Sequence, residues 1–319
     1  MSLRGKIPTA IERQYISELK RILENTKRIL ERTVVNLLPG IFQEYNLQFK
    51  QDRAPEDLDR AFARALKDAT DYLNEVSSRV ASDVGNSVSN WNSKKITQEL
   101  NKEISSKDLR REINEALKEV TNKEAAGLTT AELTAAREKL KRLKKSEIRN
   151  ILIRKYGVLQ YSREPWLVEA LQIFSQNNIG LIKSNNIQFL EQSRDLVLRS
   201  MQFGERHEEV ARKLLSTQKR GLEEASPFRK AKTRAALIAR DQVSKLNGNL
   251  TRLRQEKSQV RSYIWRTAGD GRVRYTHQLY SGKKFLWTEG AGSFGVHPGE
   301  EVRCRCYAEP VLAIPLEAI

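Results

Sequence analysis

From residue 9 onward, apolar side chains recur at steps of three and four. Ile11, Tyr15, Leu19, Ile22, Thr26, Ile29 and Thr33 lie on one face of a helix predicted over residues 9–38, which Pro39-Gly40 would end. Residues 54–84 predict a second helix, with Pro55, Glu56, Asp57 and Asp59 suited to its positive end. The Ser- and Asn-rich residues 86–93 predict a break, and residues 106–120 a shorter helix. Over residues 130–155, Leu133, Ala136, Leu140 and Leu143 form a coiled-coil-like seam on one predicted helix. A further helix runs from Pro165 through Phe174, and Asn177-Asn178-Ile179-Gly180 reads as a turn before a helix over residues 181–201. A short helix follows over residues 205–215. Ser226-Pro227 then reads as an N-cap and a first helical proline, opening a helix over residues 228–257 with Ala236, Ala239, Val243, Leu246, Leu250 and Leu253 as its apolar stripe.

From Ser262 the period changes from 3.6 to 2. Tyr263 and Trp265 alternate with Ile264 and Arg266, as in a strand. Gly269-Asp270-Gly271 is a turn signal, residues 273–279 fit a short helix, and Gly282 turns the chain into a strand over residues 283–287. A third strand is predicted over residues 302–308, with Pro310 ending regular structure. The expected fold is therefore mainly α, with an elongated helical N-terminal region and a small α+β C-terminal module. The expected division is a variable helical region (1–160), a helical core with the long basic helix (161–260) and the α+β module (261–319).

Net charge changes this picture more than length does. The excess of +17 is concentrated in residues 121–160, with 10 basic and 4 acidic side chains, and residues 161–260, with 18 and 11. Residues 1–120, with 21 and 19, and residues 261–319, with 8 and 6, are close to balanced. A field of this kind attracts polyanions. The candidate contact residues are Arg137, Lys141, Lys144 and Lys145 in the first stretch, and Arg229, Lys230, Lys232, Arg234, Arg252 and Arg254 on the long helix. The competing expectation is a solvated outer face on packed helices. Aromatic residues are not interleaved with these cations, so base stacking is not implied. Two Cys in 319 residues do not make a disulfide framework and fit a reducing compartment. No apolar run approaches the ~20 residues that span a bilayer, and the first eight residues lack the apolar core of a secretory signal.

Both Cys and two of the three His lie in the C-terminal module. Cys304, Cys306, His277 and His297 make a Cys₂His₂ donor set for zinc, although their spacing is not that of a zinc finger. The favoured alternative makes the Cys small buried residues and has His277 bonded to Asp270 or a backbone carbonyl, so no cofactor is expected. A Cys304–Cys306 bridge is not expected, since same-face neighbours on a strand sit ~6.6 Å apart. An enzyme reading would cluster Asp270, Arg272 and His277 around a Cys304 nucleophile. The chain has no phosphate loop, paired-carboxylate motif or serine elbow, so none is expected.

The order of motifs is more specific than any one of them. Ile238-Ala239-Arg240-Asp241-Gln242 and the Asn249 region are followed by Tyr263-x-Trp265-x-Thr267-Ala268-x-Asp270-x-Arg272-Val273-Arg274-x-x-His277. Gly282-x-x-Phe285, Pro298-Gly299 and Cys304-Arg305-Cys306-Tyr307 complete the series. Over residues 203–310 this resembles the phage Mu protein F-like family of minor head proteins, also called phage head morphogenesis proteins. Residues 164–215, with Asn178-Ile179-x-Leu181-Ile182 and Gly204, look like the family's middle region. Residues 1–155 carry no further match. The resemblance implies a virion protein made in the host cytoplasm and built into the head, with the portal protein, the major capsid protein or packaged double-stranded DNA as partners. The alternative is an internal virion protein that organises the genome or is ejected with it. It also implies that Trp265, Asp270, Arg272, His277, Gly282, Phe285, Pro298 and Gly299 define the module. Many members carry Cys-x-x-Cys where this chain has Arg274-Tyr275-Thr276-His277, a departure that weakens any metal site carried over from them.

Overall fold

A computed structural model describes residues 8–47, 56–104, 130–156, 164–216 and 226–312. Helices α1 (Thr9–Thr33) and α2 (Leu38–Leu47) are joined by a 3₁₀ turn, Val35–Leu37. They are followed by α3 (Glu56–Ile104), α4 (Thr130–Arg142), α5 (Lys145–Tyr156), α6 (Pro165–Gln202), α7 (His207–Leu215) and α8 (Pro227–Lys257). The C-terminal module holds β1 (Ser262–Thr267), α9 (Tyr275–Tyr280), β2 (Lys284–Leu286) and β3 (Cys306–Val311). The fold is thus mainly helical with a small α+β module. No described helix is long and apolar enough to cross a membrane.

By compactness the described residues fall into two units. One unit draws on Val88–Val168 and Ser244–Ile319, the other on Thr9–Ser87 and Glu169–Val243.

The second unit is built on Leu23, Leu30, Leu38, Phe42, Leu58, Phe62, Phe189, Val197, Phe228 and their neighbours, all buried. A polar seam runs beside this core along α6. Asn178 accepts from the Tyr15 hydroxyl at 2.8 Å and donates to the Phe174 carbonyl at 2.8 Å. Asn186 accepts from Thr26 at 2.9 Å, and Asn185 donates to the Ala231 carbonyl. Each buried amide therefore has partners, which removes the cost of placing it inside.

This seam explains one departure from the sequence expectation. Residues 177–180 are not a turn but part of an unbroken α6, because Asn178 points inward to Tyr15. Residues 86–93 likewise continue α3. Asn92 Nδ2 donates to Asn247 Oδ1 and Thr251 Oγ1, each at 2.8 Å, so its polarity serves packing and not a loop. Gly85 fits the same helix because a Cβ there would come within 3.2 Å of the Phe174 ring. Pro39-Gly40 does not end the first helix. It lies in the first turn of α2, where a missing N–H costs nothing. The single helix expected over residues 130–155 is two. Glu147 reaches back to the Lys144 N–H at 2.5 Å and caps the start of α5. The helix expected over residues 106–120, and the side chains of Leu133, Ala136 and Leu140, lie outside the described residues.

In the first unit β1 is the central strand of an antiparallel sheet ordered β2-β1-β3. Tyr263 pairs with Phe285 on one side and Pro310 on the other, and Thr267 pairs with Cys306. The third strand is thus shifted from residues 302–308, and Pro310 lies within it. As an edge strand, β3 tolerates the missing donor. Tyr263, Trp265, Trp287, Ala291, Cys304, Cys306 and Ala308 form the core of this module.

The N-terminus of α8 is capped as expected, with Ser226 Oγ accepting from the Arg229 N–H at 3.1 Å. Farther along, Gly248 lies directly against the loop after β2. A Cβ at Gly248 would sit 2.6 Å from the Pro298 carbonyl oxygen, and one at Gly299 (φ +97°) 2.9 Å from the Gly248 Cα. Two glycines allow the backbones to touch. Ser244 Oγ adds a hydrogen bond to the Cys304 carbonyl at 2.6 Å. These contacts seat the loop bearing Cys304 on α8.

Candidate metal centre

His277 is the buried residue of the six-residue helix α9, which begins after extended Arg274. Its ring packs edge-on against Trp265, with centroids 5.1 Å apart. Its Nδ1 lies 3.4 Å from Cys306 Sγ and 3.6 Å from Cys304 Sγ. Its Nε2 lies 2.6 Å from Glu301 Oε2. The ring is therefore clamped between a carboxylate and two sulfurs. Nε2 thus faces the carboxylate, and Nδ1 faces the two sulfurs.

Cys306 opens β3, and Cys304 stands two residues earlier in the turn that leads into it. Cys304 is therefore not on a strand, yet both sulfurs reach the same ring nitrogen. The three donor atoms lie within 4.8 Å of one another, and all three residues are buried. Cys304 also accepts a hydrogen bond at sulfur from the Gly299 N–H at 3.3 Å.

The electrostatics follow from these contacts. A hydrogen bond from Cys306, opposed by burial and supported by His277 and backbone N–H groups, brings the Cys304 thiol down to about 5. The same hydrogen bond, with burial, pushes the Cys306 thiol up. Cys304 also raises His277 against the effect of burial, and Glu301 adds in the same direction. A thiolate here has donors around it that most buried cysteines lack. Two sulfurs and an imidazole nitrogen are a ligand set for a soft or borderline metal. Cys304 and His277 are each 3 % exposed.

The fourth expected ligand lies elsewhere. His297 Nδ1 is 2.9 Å from the Tyr263 hydroxyl, and its ring packs on Trp287. His277 does not bond Asp270 or a backbone carbonyl as its favoured reading had it. Asp270 instead holds the turn, accepting from the Arg272 backbone at 3.2 Å and side chain at 3.0 Å and from Arg305 at 3.0 Å. Gly282 adopts φ +83° and donates to the Trp265 carbonyl, while Phe285 packs on Tyr263, Trp265 and Tyr280. Pro298 and Gly299 form the seat on Gly248. Sequence reasoning missed Glu301 and Ser244, because a carboxylate and a hydroxyl in polar surroundings carry no signal of their partners.

The basic residues divide in two. On α8, Arg254 is buried and so not part of an open cationic face. Arg234 donates to Asn185 and Gln192, and burial lowers its pKa. Lys232 pairs with Glu24, and Arg252 with Glu256 and Glu300. Lys230 also has an interaction within the chain, and Arg229 is half-buried. On the other stretch Lys141 pairs with Glu138, and Lys144 is exposed. The side chains of Arg137 and Lys145 lie outside the described residues.

Comparison with known proteins agrees with the motif order. Residues 191–309 match the family model described as Phage Mu protein F like protein. An uncharacterized protein of Haemophilus influenzae is 32 % identical over 148 residues, which is 46 % of this chain and 31 % of the relative. The match thus spans about a third of that relative's length. No solved structure matches the chain.

Proposed function

We infer from the match of residues 191–309 to the family model described as Phage Mu protein F like protein that the protein is a phage head morphogenesis protein that becomes part of the virion. The family match is the observation that carries the reading, because it covers all of α8, the donor cluster and the module as far as residue 309.

Within that role, the protein docks on the portal vertex or the inner capsid through its C-terminal module. Two features support docking on protein. The module leaves apolar side chains in solvent, with Phe294 94 %, Tyr275 72 % and Val302 51 % exposed. Meanwhile Lys232, Arg234, Arg252 and Arg254 of α8 are engaged inside the chain, which reduces the cations left for phosphate. The role is structural, and no bond is made or broken.

The second reading is a DNA-contacting internal virion protein, favoured by the net charge of +17. Phosphate contacts of this kind need no base readout and weaken steeply with salt. Co-purification with the portal protein in high salt, with nuclease, separates the two. Retention supports docking on protein, whereas loss together with DNA supports the second reading. Electron microscopy of intact particles tests the shared premise: purified virions that lack the chain and remain infectious would overturn both.

A further inference from the structure

We propose that His277 Nδ1, Cys304 Sγ and Cys306 Sγ bind one zinc ion, which pins helix α9 to the start of β3. The geometry carries this. Zinc holds sulfur at about 2.3 Å and imidazole nitrogen at 2.0–2.1 Å in a tetrahedron, so the sulfur-to-nitrogen edge is about 3.6 Å. The two edges here are 3.6 and 3.4 Å. The ligands are positioned before any ion arrives, because each is fixed by contacts of its own.

His277 has the orienting partner that metal-bound imidazoles usually have. Its far nitrogen meets the Glu301 carboxylate at 2.6 Å, which orients the ring so that Nδ1 faces the sulfurs. Cys304 has a backbone donor, Gly299 N–H, at its sulfur, and Ser244 holds its carbonyl. The charge also closes. Zn²⁺ binds both sulfurs as thiolates, the protons held by the cluster leave to solvent, and the two thiolates cancel the charge of the ion. Soft sulfur donors favour zinc over magnesium or calcium.

The position fits a structural centre. Three short strands and a six-residue helix bury little surface alone, and such modules commonly use a metal as a staple. Here the staple would close the segment between residues 277 and 304, which contains β2 and the loop seated on α8. Among the described residues no fourth Cys, His, Asp or Glu donor joins the cluster, so three protein ligands are assigned. His297, engaged by Tyr263, is not a ligand.

The test uses the full chain. It is purified without chelator, and its metal content is measured before and after equilibration with zinc and gel filtration. About one zinc per chain is expected. Replacement by Co²⁺ should give the thiolate-to-cobalt charge-transfer band and tetrahedral visible bands. Cys304→Ser and Cys306→Ser should each lose most of the bound metal, whereas folded His297→Gln should keep it. Chelation should lower the wild-type melting temperature and speed alkylation of both thiols. Should a cysteine variant fail to fold, the cobalt spectrum of the wild type decides alone. Wild-type chain that takes up no stoichiometric zinc and gives no charge-transfer band overturns the site and leaves a metal-free thiol–imidazole cluster. Loss of the band in folded His297→Gln overturns the three-ligand assignment.

Discussion

Arg254 on α8 offers the sharpest stability test. Its side chain is 3 % exposed. Nε and Nη2 each donate to the Glu164 carboxylate at 2.8 Å, in a bidentate pair. Nη1 donates to Asn92 Oδ1 at 2.6 Å and the Ser89 carbonyl at 3.1 Å, and Nη2 also reaches Ser89 Oγ. Arg254→Met keeps much of the stem's bulk and removes all five bonds. Summing five charge-assisted bonds at about 1.5–3 kcal/mol each would overshoot, since water replaces part of each and the terms are not additive. The better guide is a broken buried ion pair, which costs about 3–5 kcal/mol because the abandoned carboxylate stays where water reaches it poorly. Glu164, at 18 % side-chain exposure, is in that position. Removing both charges in Arg254→Met/Glu164→Leu should recover roughly 1–3 kcal/mol of the loss. Urea unfolding followed by tryptophan fluorescence reads wild type, both single variants and the double variant, since Trp166 lies 5.9 Å from the guanidinium. A loss below about 1 kcal/mol for Arg254→Met, or a double variant as unstable as the sum of its parts, would refute the reasoning.

Gly248→Ala places a methyl group 2.6 Å from the Pro298 oxygen; it should cost about 1–3 kcal/mol and make the 288–305 loop more sensitive to protease. A protease pattern like that of the wild type would count against the glycine seat. Burial holds the His297 imidazole below the ordinary histidine range. Its neutral form is therefore the folded one, and the contribution is complete above about pH 6.5 and lost as pH falls through the folded midpoint. Ring NMR should show that midpoint below 6.5, and a value at or above it would contradict the burial argument. Phe294→Asp and Tyr275→Asp should leave stability within about 0.5 kcal/mol of wild type while weakening co-purification with the portal protein. Unchanged co-purification would remove the module from the docking surface.

Much of this architecture could be read from local signals. Ser226-Pro227, the alternation of Tyr263 and Trp265, and Gly282 each report a backbone state that one residue type serves best. What could not be read were decisions made by distant partners. Asn178 looks like a turn residue until Tyr15, 163 positions away, is found to use its oxygen. Asn92 looks like a break until Arg254 and Asn247 satisfy its amide. Arg254 is itself the converse case, a cation that reads as surface and is buried. The gap after Arg142 was missed for the opposite reason, since neither Gly nor Pro marks it. Within the donor cluster, the residue types of His277, Cys304 and Cys306 were legible. Their convergence on one nitrogen depends on α9 lying beside the start of β3, while His297 is diverted to Tyr263 on β1.

Cys304 touches two different things with its two ends. Its sulfur faces the imidazole, and its carbonyl oxygen accepts the Ser244 hydroxyl on α8 at 2.6 Å. Only four covalent bonds separate those atoms, so whatever tightens or frees the thiol is felt as a tug on the helix. A chemical event at one sulfur, whether capture of an ion or attack by an oxidant, can thereby loosen or lock the grip of the whole tail segment on its support.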